Sequence, residues 1–443
     1  MKKLLTFILF FAAISVHSQV DYNFLTLRGI PQNLSANPAQ MPRYKSHVGL
    51  PVLSSVHINL YSSSITWGDL VKVQEDGVPL IDMQSAIDEL DDKNFLSAQL
   101  EIDLLSFSYR IKSSYFSFGI KERMEIRFGY PKSFLELIWE GNGGSLLGEK
   151  VYLDGLGIDF NHFREYAFGI AHDFNGKMIL GGRIKYLAGL GNFTTKKSEL
   201  FFITDENSYA TFVGGQFSGQ TAGFFNDEGE SVDYTLLNSK NHGVALDLGM
   251  RYQINSKWEL AASVIDFGYI NWKENAVTRY DDSVFFYYGG LSVENLFKLE
   301  ESVDSISDGL INQVDTTFTF KNIASDYRTT LSSSISVGGH YHLNRWVELA
   351  AYYNHYSYRG EFQPSFIVNS KFSLKNWLDL SANYSIQGSS FYNIGAGAVL
   401  NFGPFQFYGV TNNLIAHFKP TLARNANFRF GMNLIFGRKK FKR

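Results

Sequence analysis

Apolar and polar side chains alternate with a period of two along most of this chain, and no later stretch offers the roughly 18 consecutive apolar residues that a membrane-spanning helix needs. Phe428, Phe430, Met432, Leu434 and Phe436 fall on one face of an extended segment, with Arg429, Gly431, Asn433 and Ile435 on the other. Leu378, Leu380, Ala382, Tyr384 and Ile386 alternate in the same way with Asp379, Ser381, Asn383 and Ser385. Leu331, Ile335, Val337 and Tyr341 oppose Ser332, Ser334 and Ser336. Phe116, Phe118, Ile120, Met124, Ile126 and Phe128 oppose Lys121, Arg123, Glu125 and Arg127, and Glu122 stands as a charge on the apolar face. At 100–111 the phase slips once, at Leu104-Leu105, as a β-bulge would make it do. About 14 such segments can be counted, so the expected fold is all-β.

The connections narrow this to a transmembrane antiparallel β-barrel of about 14 strands. Lys112-Ser113-Ser114, Asn175-Gly176, Asn255-Ser256-Lys257, Leu343-Asn344-Arg345 and Leu374-Lys375-Asn376 are short turns, whereas 131–164, 188–242 and 267–330 are long connections. Outer-membrane barrels separate tight inner turns from long outer loops in this way. Trp258, Trp346 and Trp377 each follow a short turn and are candidates for an interfacial girdle at that end. One short helix is expected at 81–90, with Asp82 as its N-cap and Met83, Ile87 and Leu90 on one side. The start of the chain reads as an export signal over 1–18: Lys2 and Lys3, an apolar run at 4–14, then Val16-His17-Ser18. An anchor helix is the alternative, but the run is short for a span. The barrel is expected over 47–437, with a basic tail at 438–443 after it. Residues 19–46, holding Pro31, Pro38 and Pro42, show little periodicity.

Composition removes several function classes. A formal net charge of −3 supplies no basic field for nucleic acid. The absence of Cys excludes disulfides, thiolate metal sites and a lipidated N-terminal Cys. There is no Gly-x-Ser-x-Gly elbow, no His-Glu-x-x-His and no Walker loop, so neither an enzyme nor a cofactor is expected. His340 and His342 share a strand face, yet two ligands alone make a poor metal site. The Asp154-to-Asp159 stretch lacks the spacing of a calcium loop. Glu300, Glu301, Asp304 and Asp308 read as a solvated loop face. The constellation with a mechanism is the inward ladder: Glu101, Asp103 and Arg110 beside Lys121, Arg123, Glu125 and Arg127. Mixed signs on neighbouring strands pair across the strands. Such pairs either satisfy buried charges or line a substrate path.

Several ordered motifs resemble a family of uncharacterised outer-membrane proteins of Bacteroidota, known as a domain of unknown function. They are Leu27-Arg28-Gly29-Ile30 running to Asn37-Pro38-Ala39, Asn94-Phe95-Leu96 running into Asp103-Leu104-Leu105, and His162-Phe163-Arg164-Glu165-Tyr166-Ala167. Gly181-Gly182-Arg183-Ile184-Lys185, Asp266-Phe267-Gly268 up to Trp272, and Phe428-Arg429-Phe430 up to Gly437 complete the set. That family is in turn similar to barrels of the long-chain fatty-acid transporter type, with an N-terminal hatch in the lumen. The resemblance implies that 19–46 is a plug, with Asn33, Asn37 and Pro38 among its candidates for contact with the wall. It also implies a location in the cell outer membrane, in contact with its lipid. A small hydrophobic compound would then pass through a plugged barrel. A related barrel serves a protein secretion system, so a docking or accessory barrel for secretion, gliding or surface assembly is the rival reading. Transport requires a wall gap or movable plug beside an apolar pocket; docking requires a sealed lumen and a surface for a partner.

Overall fold

The computed structural model describes residues 21–73, 79–234, 236, 240–288, 320–358, 361–387, 390–419, 421 and 423–438. The expected signal at 1–18, the acidic stretch 300–308 and the tail beyond Arg438 lie outside them.

The strands close into a single antiparallel barrel of 14 wall positions. The first position holds two pieces, β1 (Ser46–Gly49) and β2 (Val56–Ser62). It is followed by β5 (Lys93–Ile111), β6 (Ser114–Pro131), β8 (Gly157–Phe174), β9 (Met178–Thr204), β11 (Asn241–Gln253) and β12 (Trp258–Trp272). The eighth position is again split, into β15 (Tyr327–Thr330) and β16 (Ser333–His342). The last six are β17 (Val347–Tyr358), β18 (Glu361–Leu374), β19 (Leu378–Gln387), β20 (Ser390–Phe402), β21 (Phe405–Thr411) and β22 (Asn425–Phe436). Closure is direct: Ser46 faces Phe436 on one side and Tyr109 on the other. A closed ring leaves no free edge to recruit another chain.

The alternation decides which way each side chain points. Ile335, Val337, Leu380, Tyr384, Phe428 and Phe430 are exposed on the outside, while Ser334, Ser336, Ser381, Asn383, Arg429 and Asn433 are buried within. An outer face this apolar needs an apolar surround. The phase slip at Leu104-Leu105 is a register shift between Asp103 and Leu105 against β6. At Asn175-Gly176 both residues have positive φ, 61° and 72°, the turn geometry that matches the twist of a two-residue hairpin.

Three expectations need correction. The first strand, read as continuous over about 47–61, is broken at residues 50–55, where Pro51 lacks a backbone donor and Val52 adopts φ 66°. The long connections are partly β. β9 outruns the wall, and its residues from Asn192 to Thr204 pair with β10 (Thr211–Ala222), which pairs in turn with β13 (Ala276–Tyr288). Short strands β7 (Lys150–Tyr152) and β14 (Lys321–Ala324) extend this arm, and β3 (Val71–Val73) and β4 (Pro79–Ile81) form a small separate ribbon. The expected helix is present as Met83–Asp88, and the Asp82 side chain accepts from Ser85 N at 3.0 Å. It is not alone: Lys132–Glu140 forms another, packed on the arm through Phe134 and Leu137. Among the described residues no helix is long and apolar enough to cross a membrane.

Candidate functional site

The interior is occupied by residues 21–44, an irregular stretch with two short 3-10 turns, Tyr22–Leu25 and Pro31–Ser35. Prolines and Asn favour turns over ladders, so the segment satisfies its polar groups locally and on the wall. Tyr22 N donates to Asn412 Oδ1 at 3.0 Å, and Asn23 donates to the Thr411 carbonyl at 2.9 Å. Gln32 and Asn433 exchange side-chain hydrogen bonds of 3.0 and 3.1 Å. Burial pushes the Tyr22 phenol up to about 12 against the opposing bond to Ser365, so it stays neutral. Phe24, Leu25, Leu27 and Ile30 pack with Tyr352, Ile367, Val399, Tyr408 and Val410 of the wall.

Asn33, Asn37 and Pro38 play different parts. Asn33 stays within the segment, donating to Leu27 O and Gln40 Oε1. Asn37 donates to the Ala262 carbonyl of β12 at 3.1 Å. Pro38 and Asn37 come so close to the wall that only glycine fits opposite. A Cβ on Gly181 would lie 2.4 Å from Pro38 backbone, and one on Gly249 would lie 2.1 Å from Asn37 Oδ1.

Two charge clusters line the interior. The first centres on Arg123, buried on β6. Its guanidinium meets Glu101 at 3.4 Å, Glu125 at 3.3 Å, Glu165 at 3.3 Å and Asp266 at 2.9 Å. Lys121 reaches Glu101 at 3.2 Å and Asp103 at 4.0 Å. Lys185 and Arg183 add Asp247 at 2.8 and 3.3 Å, and Lys185 also pairs with Asp266. Asp266 has φ 59°, beside a register shift at Leu246–Leu248, and its N–H donates to Asp247 at 2.8 Å. That left-handed backbone, uncommon outside glycine, aims its carboxylate at Arg123 and Lys185. The segment joins this cluster through Asp21, which holds Arg429 at 2.5 Å while Arg429 holds Glu101 at 2.8 Å.

The second cluster centres on Arg28 of the segment. Arg28 meets Glu259 at 2.9 Å and Glu348 at 2.8 Å. Each glutamate has another cation: Arg251 on Glu259 at 2.7 Å, and Lys371 on Glu348 at 2.8 Å. Burial works against the charge on Arg28, but Glu348 and Glu259 outweigh it and hold the guanidinium above its ordinary range. His340 also belongs here, 2.7 Å from Glu348 and 2.5 Å from Tyr352. Among the described residues no three metal-ligating side chains come together.

The structure therefore brings Glu101, Asp103, Lys121, Arg123 and Glu125 into one cluster, while Arg110 and Arg127 stand apart from it. Arg110 donates to the Pro42 carbonyl at the short-turn end, and Arg127 lies 3.6 Å over the Phe95 ring toward the other end. Trp258 faces outward and is half exposed. Trp346 has the opposite parity and turns into the barrel mouth, with Trp377 on that same inward parity at its strand end. Glu122, anomalous in the alternation, is answered across the strand pair by Arg164 and His162, each at 2.7 Å, with Tyr234 bonded to His162.

The hollows beside the segment are small. One, lined by Gln32, Asp103, Ser106, Ser108 and Gly119, measures 60 Å³, and so does another among Asp21, Arg123, Lys185 and Asp266. Each has room for a few waters and is too small for an organic solute. A larger cavity of 490 Å³ opens at the short-turn mouth.

Residues 38–412 match a family of unknown function, DUF5723. No curated protein matches the chain. Among solved structures it is similar to the Ralstonia pickettii toluene transporter TbuX, at 10% identity over 92% of this chain and 94% of that one, with a TM-score of 0.45. The Pseudomonas putida toluene transporter TodX gives 9% identity over 95% and 93%, with a TM-score of 0.41. A Pseudomonas aeruginosa FadL homologue gives 10% identity over 91% and 93%, with a TM-score of 0.30.

Proposed function

We propose, for a chain that belongs to the family of unknown function DUF5723, that it sits in the outer membrane as a plugged barrel and passes a small hydrophobic compound when residues 21–44 withdraw. The carrying observation is the duplication of the segment's charged contacts. Without Arg28, Glu259 keeps Arg251 and Glu348 keeps Lys371; without Asp21, Arg429 keeps Glu101. Withdrawal thus strands none of Glu259, Glu348 and Arg429, and a stranded charge is the term that makes opening a buried ion pair costly. The wall surface it uncovers at Ile367, Val399 and Val410 is apolar, and suits an apolar solute. The 60 Å³ hollows explain why passage needs movement.

Deleting residues 21–44 tests the reading. The barrel should still insert and migrate faster before boiling than after, and single-channel conductance in planar bilayers should rise. Unchanged conductance from a verified, inserted barrel would remove the plug role. The 490 Å³ mouth cavity favours a second reading, an accessory barrel that docks a partner of a secretion or surface-assembly system.

A further inference from the structure

The mouth cavity lies at the end where the short turns cluster, which faces the periplasm if the barrel spans the outer membrane as proposed. Seven cationic side chains line it against two carboxylates. Lys257, Arg345 and Lys375 come from three different turns and are exposed. Arg28 and Arg43 come from the N-terminal segment, and Arg438 from just past the last strand. Of the carboxylates, Glu348 is engaged by Arg28 and Lys371, both at 2.8 Å, so it answers those two cations and does little for Lys257, Arg345 and Lys375 on the turns. Arg345 lies 4.6 Å over the Trp346 ring, which holds its guanidinium at the mouth. Like charges gathered in a concave site raise a field that an anion relieves.

We propose that this basin binds an acidic stretch of a periplasmic protein, and that binding loosens the N-terminal segment. Lys371 and Arg28 reach Glu348 inside the wall, so a headgroup anchored in the bilayer lies behind the strands from these two. A single inorganic anion would fill only a fraction of 490 Å³ and reach few of the cations. A chain carrying several carboxylates spans them. One of its carboxylates would compete for Arg28 with Glu259 and Glu348, which retain Arg251 and Lys371. The coupling half of this inference rests on the plug reading above; the binding half does not.

The full chain in nanodiscs, titrated with a fluorescent oligoglutamate peptide and followed by anisotropy, tests both halves. Binding should saturate and weaken steeply with added salt. Lys257→Glu, Arg345→Glu and Lys375→Glu together should lower affinity by about tenfold or more. Lys240→Glu, at the opposite end and paired only on the surface with Glu274, should not. Should the triple variant fail to insert, Lys375→Glu alone, on an exposed turn, should still weaken binding. Absent binding, or binding indifferent to these changes, overturns the proposal. So does displacement by inorganic phosphate at equal charge, or loss of peptide binding when phosphatidylglycerol replaces phosphatidylcholine in the disc. Peptide binding should also speed deuterium exchange over 21–44; binding without faster exchange refutes the coupling. The conductance of the deletion variant judges the plug itself independently.

Discussion

Arg123, buried, and Arg28, partly buried, both face several carboxylates, yet their surroundings differ in one respect. Arg123 joins carboxylates from β5, β6, β8 and β12; Glu101, Glu165 and Asp266 also meet Lys121 or Lys185, but Glu125 has Arg123 as its one cation among the described ion pairs. Those around Arg28 each hold a second cation of the wall. A charge that joins four strands, one of whose partners depends on it, ties those strands together. A charge whose partners are already served can leave. On the proposed reading the same chemistry makes a fixed wall in one place and a releasable latch in another.

That difference can be broken experimentally. Arg123→Ala should cost about 3–5 kcal/mol in a lipid-vesicle unfolding titration, because it leaves Glu125 without its cation and takes one partner from Glu101, Glu165 and Asp266; a loss below about 1 kcal/mol would mean that Lys121, Lys185 and water already serve them. Gly249→Val should come next, since its branched side chain cannot share space with Asn37. The strain is about 1–3 kcal/mol if the segment stays in place, and a smaller loss accompanied by higher conductance shows that the segment yields instead. Arg28→Met should cost only about 1 kcal/mol, a net hydrogen-bond contribution. It should nevertheless raise protease cleavage within 21–44. A cost matching that of Arg123→Ala would erase the contrast. Lys72→Ala breaks a surface pair with Asp82 outside both clusters, and should stay within about 0.5 kcal/mol.

The wall was legible because alternation is written in consecutive residues. Parity placed Glu101, Asp103 and Arg123 inside and Phe428 and Leu380 outside, and a single doubled apolar position marked the bulge. Glu165, Arg183, Lys185 and Asp247 obey the same parity and could have been added to the ladder by it. Asp266 could not, because its left-handed φ falls at a register shift where parity loses its meaning. The latch was invisible for another reason. Arg28 meets a glutamate 231 residues away from inside a segment with no period, and only closure of the barrel makes them neighbours. Trp346 shows the limit of reading a position without its facing: the turn was right, but its parity sends the ring inward.

Closure also sets an order in time. Asp21 bonds to Arg429, 408 residues further along, and Tyr22 to Asn412, 390 residues further. Contacts of such sequence separation form late, since the entropy of bringing the ends together must be met before they yield anything. The segment made first is therefore seated last, once β22 has zipped onto β1 and β2. Until then the half-built wall encloses an interior that water can enter, and its charges assemble while still hydrated. A barrel stalled before its final strand would leave the N-terminal segment open to proteases, so digestion there reads out unfinished assembly.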